Sequence, residues 1–598
     1  MFLSRLNESR YTTLILASIF AFTLFLQCCF FHYQAFHSIL ISSLWNDPID
    51  FFLFYLPKIS ISIIIAAAIL LLNNKYFTMV CCILLTLWCF VDLIYIRANN
   101  IPIDAYCFTM VGNMDGFWES ILLLIYPSDV ILLLPCIIFL ITICFFKKKV
   151  LNLYKCIIPL LTLGFCLDMT SAMLNRNKFK NQHEEYLSKL ITETGDDIFP
   201  PGANNQTFIN FYTPFDADMV RSLYGDMNRY ISDYSIYHIL IYNLIDVINA
   251  NDDLNSLNYE NLSHFLSLDG KMMRDSTNDK LIILLIESLE NWVITPEIMP
   301  NLYSLTKSNN ILYAPRITSQ ALKGTSADGQ MIVLTGLLPI KNGATCFRYS
   351  DNTYPSIVKN FPKKSSCGLF PHELSVWNQD KMSRTYQIAD NYVISEEDTI
   401  IVKEILNKKD KYACILSITS STHSPFNKIA KRSSYITPND MPLHLSNYIK
   451  SFNEFDKCIG TLIDEITINN LMNYTIVITG DHTIFHTSLR NELNTYSIYN
   501  NLNLNIEENY CPLIIYSPNI EEKTVVEEVV YQMDIYPTIL HVIGAEDYYW
   551  KGFGVNLLDS VARKNRPISP EEAFELSDKL IRANYFKQIE DSLYSTIK

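Results

Sequence analysis

Five apolar stretches, near residues 11–31, 51–72, 76–96, 129–146 and 154–172, crowd into the first 175 residues. Each is long enough to cross a hydrocarbon core about 30 Å thick, which takes roughly 17–25 residues of helix. A backbone surrounded by lipid must satisfy its own hydrogen bonds, so stretches of this length and texture are expected to be helices. This feature commits the start of the chain to a transmembrane bundle. The first stretch is too long for a signal-peptide core, has no small-residue cleavage site after it, and is followed by further spans. It is therefore expected to stay as an anchor. Lys58 lies inside the second stretch and is expected either to snorkel to the boundary or to mark a later start for that span.

Short-loop charge sets the orientation, because cytoplasmic loops accumulate Lys and Arg. Arg5 and Arg10 precede the first stretch, Lys75 sits between the second and third, and Lys147, Lys148 and Lys149 sit between the fourth and fifth; the alternate loops hold only Arg97. The alternation places the N-terminus inside and everything after about residue 175 outside. No intramembrane relay of Asp, Glu or His is legible, so the bundle reads as an anchor with access to lipid.

At 598 residues the chain is too long for a single hydrophobic core, and a second, globular unit is expected. Its net charge is −14, and no basic stripe with interleaved aromatics is present, which excludes nucleic acid as a partner. Of the 15 Cys, ten fall at or before Cys166, where they act as small hydrophobes. The other five, Cys346, Cys367, Cys414, Cys458 and Cys511, have no CxxC spacing, which argues against a zinc knuckle or a disulfide framework. A single Cys346–Cys367 bridge stays open.

Beyond a membrane anchor over 1–175, residues 176–270 are polar and Asn-rich, with helical stretches around 215–250, and are expected to form a helical connector packed on the catalytic domain. From Leu281 the texture changes. Leu281–Ile286, Ala413–Ile418, Tyr474–Thr479 and Pro512–Tyr516 are short apolar runs between amphipathic stretches. They predict an α/β domain over 271–562 with a mostly parallel central sheet covered on both faces, its ligands at the carboxyl ends of strands. A charged helical tail is expected over 563–598.

Three segments carry candidate chemistry. Glu287 directly follows the run ending at Ile286; a carboxylate there is either partly exposed or bound to something, because burying it bare is prohibitive. Asp481-His482 follow Tyr474-Thr-Ile-Val-Ile-Thr-Gly480 in the same relation. Oxygen donors with one imidazole suit a Mn²⁺-, Mg²⁺- or Zn²⁺-type ion. Gly324-Thr325-Ser326-Ala327-Asp328-Gly329-Gln330 opens a helix before the apolar Met331-Ile-Val-Leu334. Hydroxyls there either cap the helix or face a phosphate held by the free N–H groups and the dipole.

Taken together, these segments resemble the lipoteichoic acid synthase branch of the alkaline phosphatase and sulfatase superfamily: a Glu after the first strand, G-x-[ST]-[SA]-D-[AG]-[EQ], and a late G-D-H. The resemblance extends through Met299-Pro-Asn-Leu302, Phe455-Asp456, and Asp534-Ile-Tyr-Pro-Thr538 followed by Gly544, about Leu281 to Leu558, and the five-span first part fits it too. It implies a catalytic Ser326, with Thr325 left as a cap, and one divalent ion, manganese ahead of magnesium or zinc, held by Glu287, Ser326, Asp481 and His482. It also implies substrate contacts from His423, in Ser420-Ser-Thr-His-Ser-Pro-Phe426, and from Trp377. Gln379 stands where the family carries an arginine, and offers an amide in place of a charged fork. No C/S-x-P-x-R segment occurs at the nucleophile, which argues against sulfate ester hydrolysis. The implied activity moves a phosphoalcohol headgroup from a membrane phospholipid to an envelope glycan or glycolipid outside the cytoplasm, through a phospho-Ser intermediate. The alternative is a metal-dependent phosphodiesterase or sulfatase-like hydrolase.

Overall fold

The structure, a computed structural model, describes residues 12–36, 48–72, 74–99, 102–103, 107, 118–145, 157–175, 227–249, 262–267, 269–271, 280–394, 398–468, 474–484, 487–500 and 509–597. The chain divides into two compact units, 1–105 with 121–252 and 106–120 with 253–598.

The first unit contains α1 (Thr12–Phe36), α2 (Pro48–Leu70), α3 (Lys75–Asn99) and α4 (Leu133–Cys144, preceded by a 3-10 turn at Pro127–Leu132). A fifth helix, α5, covers Ile157–Asn175. With the turn counted into α4, all five are long and apolar enough to cross a membrane. Arg5, Arg10 and the 147–149 lysines lie outside the described residues.

Two shorter helices, α6 (Met227–Asp233) and α7 (Ile236–Asn249), come next. Their aromatic face, Tyr230, Tyr234 and Tyr237, is buried among Phe20 and Leu24 of α1 and Ile61 of α2. Residues 227–249 of the expected connector therefore pack with the membrane helices, whereas its last described stretch, with Leu262, Phe265 and Leu266, belongs to the core of the second unit. Polar contacts fix 227–249 in place. His238 Nε2 lies 3.0 Å from Asp168 Oδ1 of α5, which also accepts from Ser60 Oγ at 2.6 Å. Tyr237 donates to Gln27 Oε1 at 2.7 Å.

One expectation fails in this unit. Lys58 does not snorkel: it is fully buried, and its Nζ donates to the Phe54 and Ser232 carbonyls, each at 3.1 Å. The bundle also holds buried acid groups. Asp92, Asp129 and Asp168 are all buried, and Asp129 takes a two-pronged bond from Arg97 at 2.7 and 2.8 Å. A charge buried in a helical bundle of this kind persists when it faces such a partner.

The second unit is built on a nine-stranded sheet: β1 (Lys280–Ile286), β2 (Ile311–Thr318), β3 (Ser366–Phe370), β4 (Asp390–Val393), β5 (Cys414–Ile418), β6 (Tyr474–Gly480), β7 (Tyr510–Tyr516), β8 (Thr524–Val525) and β9 (Val530–Tyr531). The order is β4-β3-β5-β1-β6-β7-β2-β8, with β9 beside β2. From β4 to β6 the strands are parallel; β7 runs antiparallel to β6 and β2. β1 shows why its run is apolar throughout. Leu281, Ile283 and Leu285 enter the core on one face, and Ile282, Leu284 and Ile286 enter the core on the other. Each is worth about 1.5–3 kcal/mol of burial.

Among the helices of this unit are α8 (Thr325–Thr335), α9 (Gln379–Tyr386), α10 (Asp398–Lys408), α11 (Leu443–Ile468), α12 (Thr487–Asn500) and α13 (Ile535–Val542). The tail forms α14 (Pro570–Arg582) and α15 (Tyr585–Ile597). It is not peripheral: Leu580, Ile581, Phe586 and Ile589 belong to the core on one face of the sheet. Lys359 donates to the buried Glu590 at 2.5 Å. Cys346 and Cys367 are separate buried thiols, so that bridge is absent.

Candidate active site

Parallel pairing sets the first two site residues side by side. The register matches Ile286 with Gly480 at the ends of β1 and β6, and Asp481 N–H continues the ladder to the Ile286 carbonyl at 3.2 Å. Glu287 and Asp481 therefore leave neighbouring strands at one level. Gly480 permits this closeness, since a Cβ there would lie 2.4 Å from the Leu289 carbonyl oxygen.

The two ends are then stitched together. Ser288 N–H donates to Asp481 Oδ1 at 2.9 Å, and Ser288 Oγ donates to Glu287 Oε1 at 2.7 Å. From β5 on the other side, Thr419 Oγ1 accepts the Glu287 N–H at 3.0 Å, and Thr422 Oγ1 donates to the Glu287 carbonyl at 2.8 Å. Gln532 donates to the Asp481 carbonyl at 2.7 Å. Glu290, wholly buried, holds the segment after His482 by accepting from Ile484 N–H at 2.8 Å and from Arg490.

Helix α8 brings in the hydroxyl. Ser326 Oγ lies 3.1 Å from Glu287 Oε2, to which it donates, and 3.4 Å from His482 Nε2. The close approach depends on Gly329, one turn along: a Cβ at that position would fall 2.2 Å from the Asp481 carbonyl oxygen. Thr325 does not cap the helix. The N-cap is Gly324, without a side-chain cap bond, and the Gly324 and Leu322 N–H groups are both taken by Asp328 Oδ2, at 2.8 and 3.0 Å. Thr325 instead occupies the left-handed region at φ 40°, as Ser288 does at φ 55°. Such conformations cost about 1–3 kcal/mol each, and here they flank Ser326 and Glu287.

Glu287, Asp481 and His482 each offer a ligand atom within 4.8 Å of the others, and all three are buried. His482 Nδ1 faces the Thr483 carbonyl at 2.8 Å. A carbonyl only accepts, so Nδ1 carries a proton, and Nε2 faces Glu287 Oε1 at 3.6 Å and Asp481 Oδ2 at 3.5 Å. Asp481 Oδ2 is buried without a hydrogen-bond partner. Burial and the neighbouring Glu287 charge push the Asp481 carboxyl up to about 6. Burial pulls the His482 imidazole down, but Asp481 and Glu287 outweigh it and its pKa is raised. Two converging carboxylates, one oriented imidazole and an orphaned carboxylate oxygen are a donor set that fits a divalent cation.

The other predicted residues are held differently. His423 is half-buried, its Nδ1–H donates to the Ser424 carbonyl at 2.7 Å, and burial pulls its pKa down to about 4. It is close enough to His482 and Asp481 to feel their charge. Trp377 packs against Phe347 with ring centres 6.1 Å apart, in the left-handed region at φ 52°, an outlier for so bulky a side chain. Gln379 is buried at the start of α9 and donates to Ser383 Oγ at 3.1 Å, so its amide is engaged within its own helix. Sequence reasoning missed Ser288, Thr419, Thr422 and Gln532. Only Ser288 and Thr419 had a local signal, as polar residues just past apolar strands.

Comparison with known proteins agrees with this architecture. Residues 3–192 match the family model of the lipoteichoic acid synthase N-terminal domain, and residues 341–545 match that of the sulfatases. Lipoteichoic acid synthase 1 of Bacillus subtilis is 22% identical over 408 residues, 60% of this chain and 62% of the relative. The lipoteichoic acid synthase-like protein YvgJ of the same organism is 24% identical over 316 residues, 46% of this chain and 49% of the relative. The crystal structure of the lipoteichoic acid synthase LtaP from Listeria monocytogenes superposes with a TM-score of 0.42 at 17% identity, covering 55% of this chain and 97% of that one. This chain thus spans between about half and three-fifths of the length of the two Bacillus relatives. With its five long apolar helices, it is a multi-pass membrane protein of the lipoteichoic acid synthase-like branch of the alkaline phosphatase and sulfatase superfamily.

Proposed function

We propose that this protein is a metal-dependent transferase that moves a phosphoalcohol headgroup, phosphoglycerol or a close analogue, from a membrane phospholipid to an acceptor glycan or glycolipid. The observation that carries the reading is the convergence of Ser326 Oγ on Glu287, Asp481 and His482 at the carboxyl ends of β1 and β6. The relatives' name, lipoteichoic acid synthase, supports the choice of substrate class. The Lys and Arg alternation of the short loops supports a catalytic domain outside the cytoplasm; a reporter fused after residue 180 is expected to be active only there.

Glu287, Asp481, His482 and the Ser326 oxygen would hold the cation. When bound, a divalent ion lowers the pKa of a hydroxyl and offsets charge on phosphoryl oxygens. Ser326 Oγ releases its proton along the hydrogen bond to Glu287 Oε2 and forms a bond to phosphorus as the bond to the diacylglycerol oxygen breaks, that oxygen taking a proton from water. In the second step an acceptor hydroxyl attacks the same phosphorus, and Ser326 Oγ leaves. Glu287 orients the Ser326 hydroxyl through its 3.1 Å bond. Burial holds the His423 pKa down to about 4, and its Nδ1–H is committed to a carbonyl. The imidazole therefore receives a hydrogen bond or a proton from an alcohol, and is not the donor.

The test incubates the full chain, in detergent with manganese, with phosphatidylglycerol labelled in its headgroup, and maps adducts by mass spectrometry. A glycerophosphoryl group on the Ser326 peptide is expected, together with transfer to added glycolipid. Release of free glycerol phosphate alone makes the protein a hydrolase. Full turnover by Ser326→Ala overturns the reading.

A further inference from the structure

We infer that Asp398, at the start of α10, is the positioning residue that sets the His423 loop for the alcohol end of the substrate. The inference rests on the reading of His423 as the group that meets the substrate alcohol. Three of the loop's donors converge on one carboxylate: Ser420 N–H reaches Asp398 Oδ1 at 3.1 Å, Ser421 N–H reaches Oδ2 at 3.0 Å, and Ser421 Oγ donates to the same Oδ2. The next residue, Thr422, ties the loop to the Glu287 carbonyl. After it comes His423, whose own N–H closes a turn onto the Ser420 carbonyl at 3.0 Å. Asp398 thus holds one shoulder of the turn that presents His423, and Glu287 holds the other.

A neutral residue would be the ordinary choice at this depth. Asp398 is 3% exposed, and burial pushes its carboxyl up to about 6 against the pull of the Ser421 hydroxyl and the two N–H groups. Lys428, farther along the same segment, and Cys458 of α11 are the titratable groups whose charge couples to it. A buried carboxylate that binds three donors of one loop holds that loop more stiffly than an amide could. Asparagine has one oxygen, and its NH₂ cannot accept the Ser421 pair. Apart from the Thr422 tie, these bonds lie within the His423 turn and none reaches Asp481 or His482, so the effect should concern the alcohol and not the metal.

The experiment measures kcat/KM of the full-length protein on two diesters: phosphatidylglycerol, whose headgroup carries hydroxyls, and bis(p-nitrophenyl) phosphate, which has none. Asp398→Asn should lower the first by about 10- to 100-fold, the worth of one lost charge-assisted bond, and leave the second within about twofold. In a His423→Ala background the same substitution should change neither rate by more than about twofold, since its effect passes through that imidazole. Asp398→Glu, which keeps the charge, should recover part of the loss. Equal losses on both diesters, or additive effects of Asp398→Asn and His423→Ala, overturn the inference. Should Asp398→Asn fail to fold, Ser421→Ala removes one donor without stranding a buried charge. It must then show the same substrate-selective loss, and its absence is equally fatal. A wild-type protein inert toward both diesters overturns the functional reading, and this inference with it.

Discussion

Replacing Gly329 with alanine adds one methyl group and should disable the enzyme without unfolding it. The new Cβ would lie 2.2 Å from the Asp481 carbonyl oxygen and 2.8 Å from its carbon, where real contacts do not fall below 3.0 Å. Relief requires α8 and the end of β6 to part by about 0.8 Å at the least. The oxygen cannot simply recede, because it also accepts from Gln532 at 2.7 Å. Ser326, one turn earlier on α8, must then move relative to Asp481 and His482. Site geometry tolerates about 0.5 Å, and a misplacement near 1 Å costs roughly 100-fold in rate. Stability should suffer far less. Overpacking costs about 1–3 kcal/mol, and alanine returns roughly 0.8–1.0 kcal/mol in helix propensity, a net loss of about 0–2 kcal/mol. The assay pairs headgroup transfer from labelled phosphatidylglycerol with thermal unfolding in chelator. Wild-type turnover would refute the argument, and a loss of fold far beyond the net figure would show that the clash is absorbed elsewhere.

The same geometry sets further outcomes. Ser326→Ala should lose essentially all turnover while retaining metal on the other ligands. Thr325→Gly should keep turnover and match or exceed wild-type stability in a thermal melt, because it relieves a β-branched residue at φ 40° worth about 1–3 kcal/mol; a clear destabilisation would contradict the strain. Chelation should abolish activity, and metal at 100 times its dissociation constant should stabilise the fold by about 2.7 kcal/mol; Glu287→Ala should erase most of that rise, and an unchanged rise would remove Glu287 from the site. Asp328 is raised from 3.8 to about 7, chiefly by burial. A raised folded-state pKa contributes stability that is complete below the unfolded value and is lost as pH climbs through 7. In chelator, wild type should therefore lose stability between pH 4 and 7. Asp328→Asn should lose less, since one amide oxygen can still take both N–H groups; identical pH slopes would count against the assignment.

What could be read from the chain depended on whether a contact was local. The β1 and β6 runs were legible because strands buried on both faces need unbroken apolar sequence, and a polar residue immediately after such a run stands out. β4 reads Asp390-Asn-Tyr-Val393 and is partly exposed along its length, so nothing in its composition marks a strand. The same divide runs through the site. Glu287 and the Asp481-His482 pair could be found from their own neighbours, whereas Thr419, Thr422 and Gln532 act across 132, 135 and 51 residues of chain. The strand order β5-β1 creates the first two partnerships, and β9 beside β2 carries Gln532 to the third; no window of sequence contains either.

The membrane unit fails in the opposite direction, by excess of averaging. Asp92 and Asp168 lie within long, strongly apolar helices, so a single carboxylate barely moves the average that identifies the span. A fully buried His238 on α7 lies 3.0 Å from Asp168 on α5, and neither residue alone announces the other. A buried acid in a span requires a partner, because leaving it unpaired in hydrocarbon costs several kcal/mol. The Asp168 carboxylate could therefore have been used as a demand on the sequence: somewhere another segment must return to the bundle with a donor. The helix carrying His238 meets that demand, which is why a segment with the composition of a connector belongs with the membrane helices.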